Sequence, residues 1–451
     1  MVEKDISNLD KKRKYKYGIA PNIIILIGIV TFGAQTFGYL EAELLNTYIT
    51  HVLELQYIYV GIMVACSAIM GLIFLFVWGI ISDNTRSKYG RRRPYILLGG
   101  LVCGISLIVF GYSPNYLMVF LIDVIIIGIA SNAYYAAQRV LIPDLIDIDY
   151  RGRINSRVNV FGLFGFLLPI ILTFVANEIY TIPDPSDPTG EGLLLTQLGH
   201  QFLLIIGGIV TLTCAIIGFI FLKNTKKSIS DLPEKKKFME EIRITFNLAE
   251  LKNHREFFKL VIAQTIVYSG ASVIIPYVFN FVLDLGLKTL DLAVVFGIAA
   301  PIMLVSIFLL GKSTDRIGRK KTMILMVTLT SPGFILVPLS TELGSSINII
   351  LLSIGFAAAL IGMLALMIPM DVWAFDLLPE GRKGQFLGIL NVRNTLSQVI
   401  GALSAGTLAT ILDLSGLVTR PIAWIFILVP FFFIGSIPLL RRIEETLKEE
   451  V

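Results

Sequence analysis

The stretch "GIISDNTRSKYGRRRPY", residues 79–95, separates two runs that are almost pure hydrocarbon, and much of it returns as "GKSTDRIGRKK" at 311–321. Gly79 and Gly311 are 232 positions apart, and so are Asp83 and Asp315. The same offset relates Asp144 to Asp376, Gly152 to Gly384 and Asn159 to Asn391. Agreement at five positions without a gap marks an internal repeat. The charged turn is therefore a repeated part of the design and not a single interruption of an apolar chain.

Composition says what is repeated. Of 451 residues, 55% are hydrophobic and 16% charged, and the mean hydropathy is +0.77, more than a water-facing surface tolerates. About 20 mostly apolar residues cross a bilayer as a helix. Such runs occupy 18–40, 58–82, 95–112, 115–142, 158–179 and 202–222, and, after a polar stretch, 257–283, 292–311, 322–339, 347–375, 386–412 and 421–440. The expectation is an all-α membrane protein of twelve transmembrane helices. It divides into a six-helix half over 1–222, a connecting loop over 223–256 and a second half over 257–451. The first run follows "KKRKYKY" and leads into "EAELL", which lacks the small residues of a cleavage site, so it reads as a retained helix.

Lys and Arg crowd into the even-numbered junctions, at 86–93, 151–157, 223–259, 312–321 and 382–383. The positive-inside rule places these junctions and both termini in the cytoplasm of a cell-membrane protein. That asymmetry accounts for the net charge of +5 without a nucleic-acid partner. Cys66, Cys103 and Cys214 fall in apolar runs with no motif spacing, so neither a disulfide nor a metal site is expected, and no cofactor is implied.

Two repeated six-helix halves fit a transporter in which substrate binds between the halves and access alternates. Asp83, Arg86, Gly90, Arg91, Arg92, Asp144 and Arg151, with Asp315, Arg316, Arg319 and Asp376 in the second half, are then candidates for a cytoplasmic gate of ion pairs. The alternative is that the arginines only set topology, but topology needs no Asp and Gly at repeated positions.

Several stretches resemble a known family. Residues 311–321 are similar to the signature loop of the major facilitator superfamily. "SDNTRSKYGRRRPY" at 82–95 resembles the narrower form found in sucrose/proton symporters, within the glycoside, pentoside and hexuronide symporter group. "GQFLGILNVRNTLSQVIGALSAG" at 384–406 resembles that group's eleventh helix, and "QRVLIPDL" at 138–145 the end of its fourth. "FGYLEAELLNTYI" at 37–49 is a looser match to the first. The resemblance implies proton-coupled sugar uptake, with an acidic residue midway along the fourth helix as proton carrier. In register with Arg139 and Asp144, that position is Gly128. Asp123, five residues earlier, lies about 140° away on an ideal α-helix.

Polar groups inside apolar runs are functional candidates because the bilayer penalises them. Glu41, where the resemblance implies a sugar contact, and Asp123 are the proton-coupling candidates. Asn132, Tyr135 and Arg139 recur at i, i+3 and i+7 on one helix face, as do Asn391, Asn394 and Gln398. Amides, a guanidinium and an aromatic ring suit a polyhydroxy ligand, although amides also serve simply to link helices. Gln264, Tyr268, Tyr277 and Asn280 are weaker candidates. Trp78 and Trp373 read as interfacial anchors, and His51, His200 and His254 lie outside the runs.

These readings converge on a monomeric, non-enzymatic secondary transporter taking up a glycoside, such as sucrose or maltose, with a proton or Na+. The alternatives are an uncoupled sugar facilitator, suggested by Gly128, and an exporter of an amphipathic small molecule.

Overall fold

The computed structural model describes residues 21–146, 150–185, 192–222, 254–287, 291–302 apart from 293, 296 and 300, 318–343, 347–378 and 383–445. Among them, ten helices are long and apolar enough to cross a membrane. They are α1 (Pro21–His51), α2 (Tyr57–Asn84), α3 (Arg93–Phe110), α4 (Tyr116–Leu145), α5 (Arg151–Tyr180), α6 (Gln197–Phe221), α7 (Arg255–Asp284), α8 (Arg319–Glu342), α10 (Gly388–Ser415, within the helix Lys383–Ser415) and α11 (Pro421–Arg441). Between α8 and α10 runs α9, Ile349–Asp376, the tenth apolar run of the sequence; the eighth falls mostly outside the described residues. Strands β1 (Thr181–Pro183) and β2 (Leu193–Leu195) pair antiparallel, with Ile182 opposite Leu194.

Several helices begin before their apolar run because a polar turn continues the hydrogen-bonding pattern beyond the hydrocarbon. Side chains cap the starts of α4, α6 and α9, satisfying amides that a helix N-terminus leaves unpaired. Asn115 accepts from the Met118 amide at 3.0 Å, Thr196 from Gly199 at 3.3 Å and Asn348 from Leu351 at 3.0 Å. The early start of α6 brings His200 inside the helix, where it is fully buried, 3.0 Å from Thr47 Oγ1 and edge-on to Tyr48.

Contacts gather the chain into two compact units: the described parts of Met1–Tyr48, Met70–Tyr180 and Thr196–Phe238, and those of Ile49–Ile69, Thr181–Leu195 and Met239–Val451. Helix partners repeat between them. In the first, α1 packs on α5 and α6, and α3 on α4 and α6; in the second, α7 packs on α10 and α11, and α8 on α9 and α11. The outward faces carry residues such as Leu117, Phe164, Ile350 and Phe431, all exposed, as lipid-facing surfaces require.

Inside each unit helices meet at small residues, which let backbones approach closely in the absence of a hydrophobic drive between helices. A Cβ on Gly99 of α3 would lie 2.7 Å from the Ala130 carbonyl of α4, and one on Gly401 of α10 would lie 2.5 Å from the Ser269 carbonyl of α7. These obstacles are backbone atoms, so Gly401→Ala is expected to lower stability by about 1–3 kcal/mol through overpacking. Thermal unfolding of the purified protein in detergent checks this; an unchanged midpoint would show that α7 and α10 can separate freely.

Candidate functional site

The first charged turn is anchored within one unit. Arg92, only 4% exposed, reaches Asp83 Oδ1 at 2.7 Å and Asp144 Oδ2 at 2.8 Å and also donates to Ser82. Arg91 lies 3.3 Å from Asp144 and 3.7 Å from Asp83. Arg86 donates to the Asp83 carbonyl at 2.9 Å, and Arg151 to the carbonyls of Ile146 and Pro143 at 3.0 and 2.8 Å, closing the last turn of α4. Gly90 has φ +94°, a conformation that favours glycine, and reverses the chain just ahead of Arg91 and Arg92. In the second unit Gly318 has φ +92°, and Arg319 Nε lies 2.7 Å from Asp376 Oδ2, an ion pair whose N–H does not point along the contact. Asp315 and Arg316 lie outside the described residues. Truncating Arg92 to Ala would leave the two carboxylates only the longer contacts of Arg91, at an expected cost of about 1–3 kcal/mol. Chemical denaturation of the variant in detergent measures it.

The membrane-embedded candidates of the first unit gather on α1 and α4, and both carboxyl groups sit in π-helical turns. Glu41 lies in Leu40–Leu44, closed by the Leu45 amide donating to the Leu40 carbonyl. Asp123 lies in Leu121–Ile127, closed by the Gly128 amide donating to the Asp123 carbonyl. The second turn overturns the angular expectation from the sequence. An i→i+5 bond stacks Asp123 one turn above Gly128, where an unbroken α-helix would hold them about 140° apart. Asp123 is 3% exposed and within electrostatic reach of Glu41, which is likewise within reach of Tyr135.

Below Gly128 the expected stripe assembles. Asn132 donates to the Gly128 carbonyl at 2.8 Å, and the Tyr135 hydroxyl approaches the Ala34 carbonyl at 3.4 Å. The Arg139 guanidinium sits 5.7 Å from the Tyr135 ring centre. Gly38 makes room for that ring, since a Cβ there would lie 2.9 Å from the Tyr135 hydroxyl.

The second unit holds a polar network that the amide stripe alone did not reveal. Arg393 of α10, 4% exposed, donates to Gln264 Oε1 at 2.6 Å and to Asn394 Oδ1 at 2.7 Å and pairs with Asp371 Oδ1 at 3.3 Å. Its guanidinium lies 4.4 Å from the Tyr268 ring centre. Tyr268 in turn donates to Asp371 at 2.8 Å, and Gln264 to the Met370 carbonyl at 2.6 Å. Asn394 and Gln398 are exposed and Asn391 half-buried. Tyr277 donates to the carbonyls of Ala402 and Tyr57, and Asn280 accepts from Thr50, both structural roles within the unit. A charge inside an apolar run is the signal that points to Arg393 and Asp371. Trp373 is fully buried and Trp78 donates to the Ile129 carbonyl at 2.8 Å, so Trp373 is core and not an interfacial anchor.

The chain is similar in part to plant sucrose transport proteins. One from Arabidopsis thaliana is 30% identical over 166 residues, covering 32% of this chain and 28% of that protein. Another from the same plant is 27% identical over 161 residues, covering 32% and 31%. The alignments thus span less than a third of those relatives. Among solved structures, the nucleoside transporter NupG superposes with a TM-score of 0.64 at 12% identity, covering 94% of this chain and 99% of that one. A bacterial homologue of the human lysosomal transporter Spinster gives 0.67 at 12% identity, covering 94% and 97%. The profile of the Major Facilitator Superfamily matches residues 23–402 and 260–451. Repeated helix pairing, paired glycine turns and a profile match running through both halves lead to one conclusion: this chain is a member of the major facilitator superfamily.

Proposed function

We propose that this multi-pass transporter takes up a neutral glycoside, of the size of sucrose or maltose, together with a proton, across the cell membrane with both termini in the cytoplasm. The observation that carries the reading is the stacking of Asp123 over Gly128. The i→i+5 bond puts Asp123 one turn from Gly128, where the resemblance to sucrose/proton symporters expects an acid, and so supports Asp123 as the proton carrier. A carboxylate in a bilayer gains by taking a proton, and exchange of that proton between the two faces of the membrane is what coupling requires. Alternating access then follows from rocking of the two halves, and the ion-paired turns at Arg92 and Arg319 keep each half rigid as it moves. The plant relatives named for sucrose transport support the choice of cargo.

Uptake of radiolabelled sucrose and maltose into proteoliposomes, with and without an inward proton gradient, tests the reading. Accumulation above the external concentration, collapsed by a protonophore, is the expected result. Saturable equilibration indifferent to the gradient would make the protein a facilitator.

A further inference from the structure

We propose that Asp371, Arg393 and Asn394 form a sugar subsite in the second unit, in which the Asp371 charge selects neutral sugars and excludes those carrying a carboxylate. This rests on the sugar reading above and identifies residues and a selection rule that it does not contain.

Arg393 lies under the site and not on its surface. It is 4% exposed, and its guanidinium is shared between two acceptors with accessible side chains: Asp371, whose side chain is 45% exposed, and Asn394. The Tyr268 ring covers one face of the guanidinium at 4.4 Å, and Gln264 occupies a further N–H. With these partners the arginine has little donor capacity to offer a ligand. What it does offer is position, holding a carboxylate and an amide on either side of one rigid fork. Two helices, α9 and α10, are thereby fixed with their acceptors on a common rim.

The chemistry of that rim is specific. A carboxylate has about four lone-pair sites and donates nothing while ionised. The contacts from Tyr268 and Arg393 both reach Asp371 Oδ1, and Asp371 also retains an exposed face. Sugar hydroxyls donate to such acceptors. A ligand carboxylate would instead meet the Asp371 charge, and like charges brought together away from bulk water repel strongly. Arg393 gives no compensation because Asp371 already balances it. Removing the Asp371 charge reverses this logic, leaving a positive guanidinium behind a neutral rim.

A purely structural role, that of tying α7, α9 and α10 together, makes a different prediction, which the experiment separates. Binding of sucrose, maltose and methyl glucuronide is measured by isothermal titration calorimetry on the purified full-length wild type, Asp371→Asn and the doubly neutral Asp371→Asn/Arg393→Gln. Unfolding midpoints are recorded for each. Asn keeps the size of Asp and an acceptor for Tyr268, and the double variant removes any unpaired buried charge, so at least one of the two is expected to fold. The expected result is wild-type binding of a neutral sugar and none of the glucuronide, and at least tenfold weaker neutral-sugar binding in both variants. Asp371→Asn, with Arg393 unmasked, gains glucuronide binding that the double variant lacks.

Neutral-sugar binding unchanged in a folded variant, with no gain of glucuronide, would overturn the subsite and leave the sugar reading standing. Weakened binding in step with a lowered midpoint, again without glucuronide binding, would assign the network to structure and also overturn the subsite. Wild-type protein that binds neither sucrose nor maltose would overturn the sugar reading and this subsite with it.

Discussion

Vesicles carrying the double variant Glu41→Gln/Asp123→Asn are expected to equilibrate sucrose without concentrating it. One pH unit is worth about 1.4 kcal/mol, so a gradient of that size supports roughly tenfold accumulation when one proton travels with each sugar. With both candidate carboxyl groups replaced by amides, neither can carry that proton, and the ratio should fall to one. Counterflow exchange of labelled sucrose should survive, because Gln and Asn keep hydrogen-bonding capacity close to that of the acids. Both rates belong in one preparation. Accumulation that persists under a proton gradient would remove Glu41 and Asp123 from the coupling step, and loss of counterflow as well would point to binding or folding instead.

Returning the acid to the adjacent position should restore what Asp123→Asn removes. A Cβ on Gly128 would lie 3.4 Å from Met70 and 3.6 Å from the Asp123 carbonyl, which is ordinary contact, so a side chain can start there without displacing backbone. Because the π turn stacks 123 over 128, Gly128→Asp in the Asp123→Asn background moves the carboxyl group one turn along the same side of α4. Accumulation under a one-unit gradient is expected to climb back from one towards tenfold. Glu introduced at Ile126, one of the exposed residues of the same turn, serves as the control that should not rescue. Rescue by both, or by neither, would separate coupling from the stacking described here.

Much of the fold was legible because the bilayer imposes lengths and signs that single residues cannot disguise. Runs of about 20 apolar residues and repeated Asp and Gly at a spacing of 232 were sufficient for a two-half membrane architecture. The site was less legible, for reasons that differ from residue to residue. Asp123 looked misplaced because an angle of 100° per residue presumes an unbroken α-helix, and nothing in "LIDVIII" announces an i→i+5 bond. Arg393 was hidden by reading every third and fourth residue of its helix: Asn391, Asn394 and Gln398 share that stripe, while Arg393 sits beside it, paired with Asp371 and held by Gln264 and Tyr268 from two other helices. Trp373 followed the usual preference of indoles for interfaces, which tertiary packing overrode. The Asn132 amide bonds back to Gly128 one turn earlier, a link that only coordinates reveal.

The two left-handed glycines have a practical consequence. From Asp83 to Gly90 the chain takes seven steps (90 − 83), and from Asp315 to Gly318 it takes three (318 − 315), yet both glycines deliver an arginine to an aspartate of the same repeat pair, Asp144 or Asp376. Four residues are therefore spare in the first half, within Thr85–Tyr89. The Tyr89 amide donates to the Ser87 hydroxyl, Tyr89 packs against Phe219, and Lys88 is exposed, so the segment can take a fluorophore or an epitope at that position. A label at Lys88 would report on this half of the transporter during turnover while Gly90 and the arginines after it keep their places.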